Sequence, residues 1–318
     1  MNAVEYETYG GPDVLHVSRV RRYAPATGEV LVRVQASSIN GGEVAKRQGR
    51  LRAIDGRRFP KRVGVDFVGI VTEVGDGVSG IVRGMTVWGT VSERAGTGTQ
   101  AEFVVVPAAR ISAAPMNLSP VDAVTLLAGG TTALAALRDS IAVKPGERLL
   151  VRGAAGGVGS VAVQVGAMLG AHVTGLARES SADFVHEMGA TDVIDYRTPA
   201  SQLPHFDVIF DTRGTELRQY RALLSKRGRM VTIAPDFGKP LTGLAYLAYS
   251  MVHGTRRVRL FLGNPTPALL EEVASAAESG LLRPVLANTF PLAQIADAHR
   301  ALERGGIHGK LVLEPQHR

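Results

Sequence analysis

The stretch Leu149-Leu150-Val151-Arg152-Gly153-Ala154-Ala155-Gly156-Gly157-Val158-Gly159-Ser160 carries an apolar run straight into a cluster of glycines, and out again into Val161, Val163 and Val165. The first run reads as a buried strand and the second as the start of a helix. Glycine has no side chain to hold a phosphate away from the backbone, so such a turn lets main-chain N–H groups close on a diphosphate. The helix behind it adds unpaired N–H groups and the positive end of its dipole. A glycine triplet alone also marks ordinary tight turns. With a strand before it, a helix after it and another strand near His172, the turn points to dinucleotide binding by Gly153, Ala154, Ala155, Gly156, Gly157, Val158 and Gly159.

The second strand tells which dinucleotide. Binders of NAD place Asp or Glu at its end to hold the ribose 2′-hydroxyl. This chain reads Thr174-Gly175-Leu176-Ala177-Arg178. A guanidinium there can pair with a 2′-phosphate through two parallel bonds, which favours NADPH. The other reading of Arg178 is a solvated residue at a helix start, and Glu179 follows it directly.

The same rhythm extends on both sides. Strands are expected at 148–151, 172–176, 192–194, 208–210 and 230–233, with helices at 158–169, 182–187 and 216–223. This alternation predicts an α/β, doubly wound parallel sheet of the Rossmann type over residues 121–261. Ser119 as N-cap, Pro120 and Asp122 mark the helix that leads into it. Residues 1–120 differ. Short β-rich runs such as Val30–Val34, Phe67–Val71, Met85–Trp88 and Phe103–Val106 are separated by turn residues, as in a small barrel or sandwich. Residues 262–318 hold one amphipathic stretch from Pro267 and a strand at Lys310–Leu313, and their rhythm predicts a return to the first domain.

A chain of 318 residues suits two domains. It contains no cysteine, which excludes disulfides, thiolate nucleophiles and cysteine-based zinc sites. Its eight histidines form no HxH or HxxxH pair, so no metal site is expected. The formal charge of +7 suits an anionic ligand such as a dinucleotide phosphate. The N-terminus shows no basic stretch followed by an apolar run, and the apolar region Leu241–Met251 is too short to span a bilayer. A cytoplasmic location and no membrane partner are the expectation.

Over nearly its whole length the sequence resembles the medium-chain dehydrogenase/reductase superfamily, in its zinc-free quinone oxidoreductase (zeta-crystallin-like) branch. The resemblance is carried by Ala36-Ser37-Ser38-Ile39-Asn40, Arg47-Gln48-Gly49, Gly64-Val65-Asp66-Phe67-Val68-Gly69, Leu126–Leu134, the glycine turn, Met188-Gly189-Ala190, Val193–Tyr196 and His308-Gly309-Lys310-Leu311-Val312. It implies a GroES-like catalytic domain built from residues 1–120 and 262–318, with NADPH between it and the Rossmann domain. It also implies Asn40 at the nicotinamide and substrate, Thr132 beside the nicotinamide half and Tyr196 near the 2′-phosphate. Lys310 would contact the cofactor, and the loops beginning at Asp211 and Ala234 would face it. Two departures stand out. Ser181 occupies a place where many relatives carry a phosphate-binding lysine, and no tyrosine follows Asn40 to serve as proton donor.

The implied activity is reduction of a quinone, enone or other small carbonyl compound, with dimers common among relatives. A different class of function is an NADPH-binding sensor or RNA-binding protein with little catalysis. The basic run at 46–62 (Lys46, Arg47, Arg50, Arg52, Arg57, Arg58, Lys61, Arg62) argues weakly for RNA, since Phe59 is its only aromatic and single-stranded bases need stacking partners. The run suits steering of an anionic substrate, or simply a solvated loop.

Overall fold

The alternation of apolar strands and amphipathic helices folds into two units in the computed structural model, which describes residues 1–52, 56, 58–91, 97–236, 238, 240–252 and 256–316. The first unit comprises Met1–Ala128 and Pro265–Arg318, and the second Gly129–Asn264. The divisions fall later in the chain than the changes of composition at 120 and 261. One of them lies inside the continuous helix Pro120–Leu134, at Gly129-Gly130.

In the first unit, short extended runs form β1 (Asn2–Tyr6), β2 (His16–Arg19), β3 (Glu29–Ser38), α1 (Gly41–Arg47) and β4 (Lys61–Arg62). They continue as β5 (Asp66–Val74), β6 (Thr86–Thr90), β7 (Phe103–Pro107), β8 (Ile111–Ala113) and α2 (Pro120–Leu134). Strand β3 alternates Val30, Val32 and Val34 inward against Phe67, Val71, Val87, Val104 and Val106, which gives this unit a dry β core. Helix α2 opens as its sequence predicts. The Ser119 Oγ accepts from the Asp122 N–H at 3.1 Å and donates to the Asp122 carboxylate at 2.6 Å. A π-helical turn at Ala135–Ser140 follows it. Taken together, Pro120–Ser140 is apolar and long enough to cross a membrane, but 67% of that stretch is buried, as in a core helix.

The second unit is strand and helix in turn: β9 (Arg148–Arg152), α3 (Gly159–Met168), β10 (His172–Ala177), α4 (Ala182–Glu187), β11 (Asp192–Asp195), β12 (Phe206–Asp211), α5 (Leu217–Ala222), β13 (Leu224–Thr232), α6 (Pro240–Val252) and β14 (Val258–Leu260). The six strands are parallel and ordered β11-β10-β9-β12-β13-β14. Strand order therefore reverses on either side of β9, and open α/β sheets bind ligands at that point. Leu150, Leu176, Ile209 and Met230 pack under Tyr220 and Leu247 in the core. The apolar region at 241–251 lies in α6, and β14 was not foreseen because its three residues are too few to show a pattern.

The chain then forms α7 (Pro267–Glu278), β15 (Leu286–Pro291), α8 (Ile295–Arg304) and β16 (Lys310–Glu314) in the first unit. Strand β16 pairs antiparallel with β3, placing Val312 opposite Ser38 and Leu313 opposite Ser37. That register sets the end of the chain beside the Ser38–Asn40 segment. Below it, Val4, Tyr6, Ile39, Leu311 and Leu313 pack with Leu292, Ile295 and Ala298.

Candidate active site

Two groups of residues matter, one in each unit. In the second, β9 runs into the glycine turn and α3 begins at Gly159, as the sequence predicts. Gly153 has φ +77°, a conformation that side chains disfavour. A Cβ at Gly159 would stand 2.0 Å from the Gly153 carbonyl oxygen, so only glycine closes this turn. Ala154 and Gly159 are buried, while Ala155, Gly156, Gly157 and Val158 form the partly exposed rim. The N–H groups of Ala155, Gly157 and Val158 donate to no described residue, and the buried Ser160 hydroxyl has no partner. Unpaired donors at a helix start are what a diphosphate requires.

Arg178 is exposed at the end of β10, and its guanidinium makes no ion pair or hydrogen bond with a described residue. Tyr196, 51% exposed, follows the neighbouring β11, and its N–H donates to the Ala177 carbonyl at 2.8 Å. The sheet thus brings Arg178 and Tyr196 to one edge. Sequence reading missed two neighbours there. Arg197 donates twice to Asp195 at 2.9 Å, and Asp195 also accepts from the Glu179 N–H at 3.1 Å. Those bonds hold the Asp195 carboxyl well below the usual carboxylate range.

Asp211 is expected at the cofactor, and the structure engages its side chain within the protein. Its carboxylate is fully buried and already accepts from Arg152 (2.7 Å), the Gly214 N–H (2.8 Å) and the Thr232 hydroxyl (2.8 Å). It has no free oxygen to offer; it shapes the loop behind β12. Arg152, another residue the sequence did not single out, reaches the Thr215 carbonyl at 2.7 Å and lies 3.5 Å from the centroid of the Tyr220 ring. Thr212 ties this loop to the turn by donating to the Arg152 carbonyl at 2.8 Å. Ala234 is half-buried, its carbonyl accepting from Thr232 at 2.8 Å. Thr132 is half-buried on α2, just before the π-helical turn.

The second group lies in the first unit, where β3 ends and α1 begins. Lys310, only 4% exposed, donates to the Ser38 hydroxyl at 3.0 Å and to the Asn40 Oδ1. The Asn40 amide nitrogen donates to Glu43 at 3.1 Å. Ser38 donates through both its N–H (2.9 Å) and its hydroxyl (2.7 Å) to the buried Asp66. Gln100 donates to the other oxygen of Glu43 at 2.8 Å. Burial pushes the Lys310 ammonium below its ordinary range, against the opposing pull of Asp66 and Glu43. The Lys310 ammonium is thus engaged inside this cluster, beside Asn40.

The basic run divides. Arg47 is buried, donating to the Gly10 carbonyl at 2.6 Å and to Glu303. Lys61 sits 5.9 Å from the Tyr9 ring centroid and 5.5 Å from that of Phe59. Arg50, Arg52 and Arg58 are exposed, and Arg57 lies outside the described residues, as does the run's one acid, Asp55. Among the described residues no group of three or more His, Asp or Glu side chains could hold a metal ion.

Residues 26–116 match the family described as alcohol dehydrogenase GroES-like domain, and residues 188–313 the one described as zinc-binding dehydrogenase. The chain is 30% identical over 322 residues to the mitochondrial NAD(P)H oxidoreductase RTN4IP1 of Bos taurus, covering 90% of this chain and 81% of that relative. It is 29% identical over 329 residues to the chloroplast envelope quinone oxidoreductase homolog of Arabidopsis thaliana, covering 99% and 98%. The crystal structure of Escherichia coli quinone oxidoreductase complexed with NADPH superposes with a TM-score of 0.86 at 25% identity, covering 99% of this chain and 100% of that one. The first unit is thus GroES-like and the second a Rossmann domain. The expected cytoplasmic location is corrected. The Arabidopsis thaliana and Bos taurus relatives are named as a chloroplast envelope and a mitochondrial protein, which runs against it.

Proposed function

The chain belongs to the medium-chain dehydrogenase/reductase superfamily, in its zinc-free quinone oxidoreductase branch, and from that premise we propose that it reduces a quinone, enone or other small carbonyl compound with NADPH and without a metal. Its coarser activity is that of an NAD(P)H-dependent, quinone oxidoreductase-like enzyme. The observation that carries the finer reading is the glycine turn at the point of strand reversal, with N–H groups and a neighbouring arginine that find no partner among the described residues.

When bound, NADPH supplies the hydride. The rim of the turn, Ala155 to Val158, holds the diphosphate. Arg178 pairs with the 2′-phosphate alongside Tyr196, and the guanidinium selects the phosphorylated ribose. Asn40 polarises the oxygen that gains charge as hydride arrives, a role worth most when the donor is held rigidly in advance. Water supplies the proton, which suits a quinone better than an unactivated alkene. The exposed Arg50, Arg52 and Arg58 favour an acceptor with negative charge. Independence from zinc is supported by a chain without cysteine.

The test follows NADPH consumption with a panel of quinones and enones, before and after treatment with a chelator. Turnover that survives the chelator and prefers NADPH to NADH is the expected result. Tight NADPH binding with no turnover would favour the sensor. If calorimetry finds no binding of either dinucleotide at millimolar concentration, the proposal is wrong.

A further inference from the structure

The cluster around Lys310 contains a constraint that none of its members shows alone. An ammonium has three donors and no acceptor, and a carboxylate only accepts. Asn40 lies between one of each. Its Oδ1 faces the Lys310 ammonium, and its amide nitrogen faces the Glu43 carboxylate at 3.1 Å, with the Ser38 hydroxyl and the Asp66 carboxylate each at a longer 3.4 Å. Rotating the amide by half a turn would set nitrogen against ammonium and oxygen against carboxylate, so one orientation is held from both sides. Neither clamp is free to drift. Lys310 is also tied to Ser38 at 3.0 Å, which is fixed by two bonds to Asp66, and Glu43 is tied to Gln100 at 2.8 Å. Five of these residues are no more than 4% exposed: Ser38, Glu43, Asp66, Gln100 and Lys310.

We propose that Lys310 is a positioning residue for catalysis, its ammonium fixing the orientation of the Asn40 amide so that an N–H, and not the oxygen, is the group Asn40 can offer to the acceptor. This rests on the role given to Asn40 above. The groups that face Lys310 are Asp66 on β5 and Glu43 on α1, together with the uncharged Ser38 and Asn40. A neutral lysine amine can accept a hydrogen bond as well as donate one, so deprotonation releases one side of the clamp. Turnover should then fall on the alkaline side as Lys310 loses its proton, at a pH below that of an ordinary lysine.

Two variants and one resonance test this. Lys310→Arg keeps a donor-only cation that does not titrate in the accessible range. It should retain turnover within about tenfold and lose the alkaline limb. Lys310→Met should lower kcat by about tenfold to a hundredfold, the scale of losing one pre-aligned donor, with NADPH affinity changed less than about twofold. The third readout needs no turnover. The 13Cε resonance of Lys310 in the wild-type protein should titrate below the ordinary lysine range, and in Asn40→Ala its midpoint should move. A Lys310→Met enzyme with unchanged kcat, or a Lys310→Arg enzyme that keeps the wild-type alkaline limb, overturns the proposal. Should the wild type turn over nothing in the panel, the reading of function fails. The resonance then still decides the clamp, which is refuted by an ordinary midpoint indifferent to Asn40.

Discussion

Each unit buries a cation beside its site residues, Arg152 in one and Lys310 in the other, and the two are built for different tasks. Arg152 in the Rossmann domain is 4% exposed, bonded to Asp211 and the Thr215 carbonyl and lying against the Tyr220 ring. Lys310 in the GroES-like unit is equally buried but touches Ser38 and Asn40, two neutral groups, with its carboxylates one bond further off. A guanidinium is planar, fixed in its donor geometry and not able to shed its proton in a protein, whereas a buried ammonium can. The comparison separates a permanent brace from a group that can titrate. The brace stands under the cofactor turn, where shape matters. The group that can titrate stands beside Asn40, the residue to which the proposed function assigns the acceptor oxygen.

The largest expected effect breaks the brace. Asp211→Ala leaves the buried Arg152 with only the exposed Glu216 carboxylate, 3.6 Å away, and should cost about 3–5 kcal/mol in urea unfolding at neutral pH. Asp66→Ala should cost less, about 1–3 kcal/mol, the scale of stranding the buried Ser38 donors, because the ammonium beside it keeps Glu43 and can also lose its proton. Equal losses would erase the distinction between the two clusters.

Next comes a cation outside either cluster. Arg178→Ala removes a guanidinium that no described residue uses, so stability should hardly change. NADPH affinity should weaken by about tenfold to a hundredfold, the worth of charge-assisted bonds to a phosphate, while NADH affinity stays nearly constant. Calorimetry with both dinucleotides decides it, and an equal loss for both would remove Arg178 from recognition of the 2′-phosphate.

The smallest effect concerns a second titratable group in the interior of the first unit. His299 is fully buried and neither ring nitrogen has a partner. Burial, helped by the charge of Arg47, pushes its pKa down to about 3 from 6.5. Its folded value lies below the unfolded one, so its contribution is complete above 6.5 and is lost as pH falls toward 3, because only the unfolded chain takes up the proton there. The slope should approach about 1.4 kcal/mol per pH unit within that window. Urea unfolding of wild type and His299→Leu between pH 5 and 7 isolates it from most carboxylates, and parallel pH profiles would show that His299 does not titrate differently on folding.

Much of the Rossmann half was legible before any coordinates. The strand, glycine and helix pattern at 148–168 depends on backbone geometry within a dozen residues, so the turn, its rim and the expected helix at 182–187 follow locally. Arg178 could be located because the end of the second strand is fixed by the same short unit. Less of the side-chain network could be read in either half. Asp211 and Lys310 were named, but not the side chains they meet in the fold, since the resemblance marks that a residue matters and not which atoms it contacts. Arg152 and Arg197 went unnoticed because an arginine at a strand end gives no signal until its neighbours are known.

By itself the sequence determined the cofactor turn, the parallel alternation of strand and helix and the absence of any thiol chemistry, all of which depend on composition or on residues close along the chain. Only the tertiary structure decided that Lys310 meets Ser38 and Asn40, because β16 must first pair antiparallel with β3 across more than two hundred residues. The physical reason is that hydrogen-bond partners in a buried cluster are chosen by which backbones the core brings together, and that choice is written nowhere in the spacing of the residues themselves.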